Sequence, residues 1–222
     1  MLSARWRRDR GLATSRAERD GGTAREDPPQ ASAGGPSGLL ATKLYPPRAQ
    51  PGFVPRPRLT EELDQGLPRG PVLLCAPARF GKTALLADWA RAGRRPLAWL
   101  SLDEADNDPV RFWRHVAAAL DKARPGIAEQ LAPLLGPPAP PSFERLVTAL
   151  INELAAHPDQ REVLLVLDDY HLIEAQPVRA SLGFLVEHRP RGLCLVLASR
   201  ADPTPVSVRR RSTAATGTFS TS

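Results

Sequence analysis

The sequence of 222 residues predicts an α/β domain in which a parallel β-sheet has helices on both faces. Three observations predict this fold. Short apolar segments alternate with segments of helical periodicity, which is the pattern of a doubly wound sheet. The segment 163–167 is apolar throughout, as expected of a strand buried on both faces. A loop with a lysine and a threonine at its end joins the first predicted strand to a helix, which is typical of a P-loop NTPase.

The chain divides into four parts by composition. Residues 1–38 mix arginine with acidic residues, glycine and proline, which predicts a disordered arm. Residues 39–70 are expected to be an extended lead-in, with five prolines up to position 58, and then a short helix. Residues 71–203 hold the predicted α/β domain with this loop. Residues 204–222 have neither helical nor strand periodicity and are predicted to be disordered or aberrant.

The elements follow in order along the chain. The predicted strands are 71–75, 97–102, 163–167 and 193–198. Helices are predicted at 59–67 with Thr60 as N-cap, at 82–92 with Gly93 as the stop signal, from Asp108 and Pro109 onward, and at 126–135, 142–157 and 176–188.

Composition limits the possible functions. The formal charge is +6, but no Lys/Arg stripe interleaved with aromatic residues indicates nucleic-acid binding. The two cysteines, Cys75 and Cys194, each lie in an apolar segment and suggest neither a disulfide framework nor a zinc site. No apolar stretch is long enough to span a membrane, and the N-terminus lacks the apolar region of a secretory signal. We therefore expect a cytoplasmic protein that does not bind membranes.

The most informative motif is a predicted phosphate-binding loop. In such a loop, backbone N–H groups and the positive end of a helix dipole point at one anion. The lysine reaches the β- and γ-phosphates, and the threonine hydroxyl ligates Mg²⁺. The loop and the first residue after it are Ala76, Pro77, Ala78, Arg79, Phe80, Gly81, Lys82, Thr83 and Ala84. Ala76 replaces the first glycine of the pattern, and the alternative is a chance match in a surface turn. The flanking strand and helix favour binding of ATP or ADP with Mg²⁺.

Two acidic residues and one arginine complete the predicted site. Asp168 and Asp169 follow the third strand, at the sheet edge where ligands bind in open α/β folds. Asp168 is expected to hold the metal and Asp169 to orient or deprotonate the attacking water; the alternative is a pair of turn or capping aspartates. Arg200 ends the fourth strand, which is expected between the first and third, and is predicted to contact the γ-phosphate, unless it is a surface arginine.

Two other residue sets are interpreted as structural. Residues 103–108 are acidic but lack the spacing of a calcium loop. Helix capping by Asp108 and solvation of the others are expected to explain them. The histidines show no metal-binding or nucleophile pattern at positions 115, 157, 171 and 188.

With these motifs placed, residues 39–203 resemble the STAND signal-transduction ATPases, and within them the N-terminal ATPase domain of MalT-like LuxR-family transcriptional regulators. The matching segments are LLATKLYPPR, FVPRPRL, CAPARFGKT, AWLSLDEADNDPVRFW, VLDDYHLI and LASRADP. The resemblance implies that the segment with Val54 and Arg56 lies against the nucleotide. It also implies a metal-side role for Asp168 and Asp169 and a sensor role for Arg200.

The sequence departs from this family in two ways. Arg79 stands where the family usually has glycine, and its Cβ makes a left-handed backbone there costly by about 1 kcal/mol or more. The pattern also ends near Pro203, so the resemblance implies that the P-loop ATPase domain of residues 71–203 is incomplete at its C-terminal end. The further strands, winged helix, repeats and DNA-binding helix-turn-helix of the family are not expected in this chain. We interpret the chain as a fragment, with a frameshift as one possible origin. DNA contact would then need a C-terminal domain outside this chain.

The leading functional hypothesis is an ATP-binding switch of a transcriptional regulator that hydrolyses ATP slowly at most. Its expected partners are the nucleotide and either further copies of itself or the rest of a regulator. The alternative is a truncated remnant or protein-interaction module with impaired nucleotide binding. A metabolic phosphotransferase is a third hypothesis, but the sequence has no separate acceptor-site motif.

Overall fold

A five-stranded parallel β-sheet forms the centre of the fold. The computed structural model describes residues 39–48, 54–93, 95–136, 143–156, 161–200 and 218–220. The strand order is β2-β3-β4-β1-β5, and every neighbouring pair is parallel. The strands are β1 (Val72–Cys75), β2 (Leu97–Ser101), β3 (Val163–Asp168), β4 (Leu193–Ser199) and β5 (Thr218–Ser220). The predicted fold class is confirmed, and β4 lies between β1 and β3 as expected.

Six α-helices are described. They are α1 (Pro57–Gly66), α2 (Lys82–Ala92), α3 (Pro109–Ala123), α4 (Ile127–Leu131), α5 (Phe143–Ala155) and α6 (Gln176–Glu187). Short 3₁₀ turns lie at Ala41–Leu44, Leu67–Arg69, Glu104–Asn107, Ala132–Leu134 and Tyr170–Leu172. Within the described ranges, no helix combines the length and the apolar character needed to cross a bilayer.

The starts of two helices test the capping predictions. Asp108 caps α3 as predicted, since its Oδ1 accepts a hydrogen bond of 2.7 Å from the N–H of Arg111. The prediction for Thr60 was wrong. Helix α1 begins at Pro57, whose fixed φ angle suits the first turn, and Thr60 lies inside that turn with its hydroxyl donating to the Pro57 carbonyl at 2.8 Å.

The sheet separates two hydrophobic layers. Along β3, Val163, Leu165 and Leu167 pack with α3, α5 and α6, whereas Leu164 and Val166 pack with α1 and α2. All residues of β3 and β4 are buried. This arrangement explains why these strands are apolar up to their last residue rather than alternating, because each face of the sheet is covered by helices.

The end of the chain contributes a short edge strand. Residues 218–220 pair in parallel with β1, with Leu73 opposite Thr218. The sequence predicts no regular element there, and the difference arises because the edge of β1 offers unpaired backbone groups that any short segment can satisfy. The predicted arm at 1–38 and the other residues beyond Arg200 lie outside the described residues.

A buried charge cluster fixes the lead-in to the opposite edge of the sheet. Lys43 is 8% exposed and donates to the Asp106 carboxylate, which is completely buried. His115 Nδ1 lies 2.9 Å from Asp106 Oδ1. Burial by itself raises the pKa of Asp106, but hydrogen bonds from His115 and Lys43 outweigh it and lower the pKa from 3.8 to about 2. The expected solvation of Asp106 was therefore wrong, because the tertiary structure gives this carboxylate a buried cation.

Candidate functional site

The predicted phosphate loop connects β1 to the N-terminus of α2. Gly81 precedes the helix at a φ of 79°, and its carbonyl accepts the hydrogen bond from Leu85 N–H at 2.8 Å. No side-chain hydrogen bond caps the helix at Gly81. The N–H groups at the start of an uncapped helix have no acceptor within the helix, so they fit an anionic ligand.

Lys82 holds the loop in this conformation. Its side chain is buried, and Nζ donates to the carbonyls of Ala76 at 2.5 Å and Pro77 at 3.1 Å. The ammonium thus lies within its own loop, next to the helix N-terminus. A positive charge at this point adds to the positive end of the helix dipole. Both charges favour the binding of a negatively charged group such as phosphate at the loop.

Arg79 is the strained residue of the loop. Its φ is 68°, in the left-handed region that disfavours residues with a Cβ. Arg79 is exposed, as is the neighbouring Phe80, at 49%. The departure from the family pattern thus falls at a position where the backbone conformation favours glycine.

The lead-in also reaches the loop. Arg56 Nη1 donates to the carbonyl of Phe80 at 3.4 Å, which joins the start of α1 to the tip of the loop. Val54 lies two residues before Arg56, and its side chain is 72% exposed. The structure therefore brings Arg56 to the loop, whereas Val54 is shown only to be largely exposed.

Asp168 and Thr83 form the predicted metal side of the site. Asp168 is 2% exposed at the end of β3, and the Thr83 side chain at the start of α2 is hydrogen-bonded to it. Burial raises the pKa of Asp168, and the Thr83 hydrogen bond opposes this effect. A carboxylate beside a hydroxyl is a fitting donor set for Mg²⁺, a cation that prefers oxygen ligands and also binds nucleotide phosphates. In the described part of the chain, no group of three or more His, Cys, Asp or Glu residues is arranged for a metal.

Asp169 lies between two nitrogen-bearing side chains. Its backbone is left-handed, with a φ of 57°. Its Oδ1 is 3.7 Å from Arg200 Nε and 3.8 Å from His171 Nδ1. The structure therefore brings Asp169 and Arg200 together across β3 and β4, and adds His171 to them.

His171 and Asn107 are residues that the sequence reasoning missed. Asn107 Oδ1 accepts from the N–H groups of Glu174 and Ala175, both at 2.7 Å, and its Nδ2 donates to the Leu172 carbonyl at 2.9 Å. It thus braces residues 172–175, the segment that follows the two aspartates. For His171, the only sequence signal of its place near the site is that it follows Asp169 by two residues.

Comparison with models of known protein families gives no match. The HTH-type transcriptional regulator MalT of Cronobacter sakazakii is 37% identical over 165 residues, which are 74% of this chain and 18% of that protein. The serine/threonine-protein kinase PknK of Mycobacterium tuberculosis is 33% identical over 162 residues, 72% of this chain and 14% of the kinase.

Among solved structures, the Walker-type ATPase PABY2304 of Pyrococcus abyssi aligns with a TM-score of 0.44 and 14% identity, covering 72% of this chain and 49% of that one. The chain spans less than a fifth of the length of the MalT relatives it matches. The sequence similarity to MalT, the parallel sheet and the loop between β1 and α2 all indicate the same type of domain. The chain contains a MalT-like P-loop ATPase domain.

Proposed function

We propose that this domain binds ATP and ADP with Mg²⁺ and acts as the nucleotide-dependent switch of a STAND-type, LuxR-family transcriptional regulator. The observation that carries the proposal is that three features lie together at one edge of the sheet: an uncapped helix start, a buried lysine, and a hydroxyl beside a buried carboxylate. The uncapped start of α2 carries the buried Lys82, and Thr83 is hydrogen-bonded to the buried Asp168 at the end of β3.

Each residue has a defined task in this proposal. The N–H groups from Gly81 to Ala84 and the ammonium of Lys82 bind the phosphates. Thr83 and Asp168 hold Mg²⁺, which neutralises phosphate charge when bound. Asp169 orients water, and Arg200 binds the terminal phosphate. Arg56, which donates to the loop, and Val54 are proposed to contact the rest of the nucleotide.

The residues favour a switch over a metabolic enzyme. Arg200 and Asp169 lie on the strand ends next to the loop, so a terminal phosphate that attracts Arg200 would weaken its ion pair with Asp169. Exchange of a triphosphate for a diphosphate would thereby change the positions of the loops after β3 and β4, which carry Asp169 and Arg200. We propose that slow hydrolysis resets this state, and that self-association or the rest of a regulator reads it. DNA contact would belong to another domain of such a regulator.

Arg79 favours a second candidate, an interaction module with impaired nucleotide binding. A left-handed arginine destabilises the loop, whose geometry sets the direction of the N–H groups. Under this alternative, the wild-type chain does not bind ATP at millimolar concentration, and replacing Arg79 by glycine restores binding.

The deciding experiment is a titration of the full chain with a fluorescent ATP analogue and Mg²⁺. Lys82→Ala is expected to weaken binding by about tenfold or more, because it removes a charge-assisted contact. Arg145→Ala is the matched control, since Arg145 is an exposed cation on α5, on the other face of the sheet. Equal affinities of wild type and Lys82→Ala would refute the proposal.

A second readout comes from stability. Ligand at about 100 times its Kd stabilises a protein by about 2.7 kcal/mol, so Mg-ATP should raise the melting temperature of the wild type by several degrees. At the same Mg-ATP concentration, Lys82→Ala should lose about half of this shift or more, and the Arg145 variant should keep all of it.

A further inference from the structure

His171 occupies an unusual position beside the proposed phosphate site. It lies in the 3₁₀ turn Tyr170–Leu172, directly after the two aspartates at the end of β3. Its side chain is 18% exposed, and its Nδ1 is 3.8 Å from the Asp169 carboxylate. The charges of Lys82 and Arg200 are both close enough to act on the imidazole. His171 therefore lies beside the pair formed by Asp169 and Arg200.

The Nδ1 atom of His171 is buried and has no hydrogen-bond partner among the described residues. A buried polar atom without a partner is costly, and it is expected to bind water or a ligand. The carboxylate of Asp169 is too far away for a hydrogen bond to Nδ1, and the same oxygen is 3.7 Å from Arg200 Nε. Two nitrogen donors thus flank one carboxylate oxygen without a hydrogen bond to it.

A terminal phosphate suits these two donors better than Asp169 does. It offers three oxygen acceptors and more negative charge than a carboxylate. Burial lowers the pKa of His171. The charges of Arg200 and Lys82 lower this pKa further and the charge of Asp169 raises it, with a net lowering that favours the neutral ring. A neutral imidazole can still donate one hydrogen bond. A diphosphate lacks the group that these donors would bind.

We infer that His171, together with Arg200, contacts the terminal phosphate of a bound nucleoside triphosphate and so distinguishes triphosphate from diphosphate. This inference rests on the proposed nucleotide binding. It assigns a specificity-determining role to a histidine that no metal or nucleophile pattern marks. Loss of the ring nitrogen should weaken triphosphate binding selectively, because contacts of the loop with the other phosphates stay intact.

The test measures Kd values of the full chain for ADP and for a non-hydrolysable ATP analogue, AMP-PNP, by calorimetry with Mg²⁺. His171→Phe keeps a ring but has no donor, whereas His171→Asn keeps an N–H donor near the position of Nδ1. His188→Phe is the matched control, since His188 is an exposed histidine at the end of α6.

His171→Phe should weaken AMP-PNP binding by about tenfold and change ADP binding less than twofold. His171→Asn should restore most of the preference, and His188→Phe should behave like wild type. A purely structural role predicts equal losses for both nucleotides, which would overturn the inference.

Other outcomes separate the two proposals. If the wild type binds both nucleotides but His171→Phe keeps the preference for AMP-PNP, only the role of His171 is refuted. If the wild type binds neither nucleotide, the proposed function fails and the inference fails with it. Should His171→Phe not fold, His171→Gln replaces it, because its amide lies closer to the position of Nε2; a full preference for AMP-PNP in that variant would count against the inference.

Discussion

Replacing Asp106 by asparagine tests the buried cluster that attaches the lead-in to the sheet. The carboxylate is completely buried and is bound by Lys43, by His115 at 2.9 Å and by the N–H of Asp103 at 2.9 Å. Asparagine keeps the shape but removes the charge. Lys43, itself only 8% exposed, then loses its main counter-charge.

The size of the effect follows from the pKa of Asp106. A pKa lowered from 3.8 to about 2 corresponds to about 2 to 3 kcal/mol of folding free energy at neutral pH. Removing one partner of a buried ion pair costs about 3 to 5 kcal/mol. We therefore expect Asp106→Asn to lower the free energy of unfolding by about 3 kcal/mol at pH 7, a large part of the stability of a typical domain.

The pH dependence gives a second, independent check. Because the folded-state pKa is depressed, the stabilising effect is complete above about pH 4 and is lost as the pH falls through 2. The difference between wild type and Asp106→Asn should therefore shrink from pH 5 to pH 2.

Urea unfolding followed by tryptophan fluorescence measures both quantities, since Trp99 and Trp113 are buried. Asp103→Asn is the matched control. Asp103 also binds Lys43, at 3.0 Å, but its side chain is 45% exposed, so we expect a loss below about 1 kcal/mol. Equal effects of the two substitutions, or a difference at Asp106 that does not change with pH, would refute this reasoning.

Three further predictions concern the site. Arg79→Gly should raise stability by about 0.5 to 1 kcal/mol, because it relieves the left-handed strain, and thermal unfolding would show a higher midpoint; a lower midpoint would contradict this. Asn107→Ala should cost about 2 to 3 kcal/mol in urea unfolding, because four side-chain hydrogen bonds are lost, and Asn107→Asp should cost less, since it keeps the acceptor oxygen. Asp168→Asn should bind nucleotide with the same affinity in Mg²⁺ and in EDTA in a titration. If Mg²⁺ raises the affinity of this variant as much as that of the wild type, Asp168 is excluded as the metal ligand.

Local sequence was sufficient for most elements because their signals are strong and short in range. The apolar strand 163–167 and the cap formed by Asp108 are both where the sequence predicts them. The N-cap prediction for Thr60 was wrong because a threonine hydroxyl can form hydrogen bonds with the backbone both at the N-cap and within the first turn. Pro57, three residues earlier, decided the start of α1.

Asp106 and Asn107 lie in an acidic segment for which the sequence predicts a solvated loop. Their roles depend on partners far away in sequence, Lys43 for one and the backbone of residues 172–175 for the other. No periodicity links such positions, so the sequence alone does not show these contacts, and the expected solvation of Asp106 was wrong.

The sequence by itself determined the fold class and the loop between β1 and α2, and it predicted Asp168 as the metal-side partner of that loop, because each depends on residue types at fixed spacing next to a strand end. Only the tertiary structure decided which side chains meet Asp169, and it brought Arg200 and His171 to the same carboxylate oxygen. It also decided that Arg79 adopts a left-handed backbone. The physical reason is that strand order and loop closure set these contacts, and both depend on packing across the whole sheet rather than on neighbouring residues.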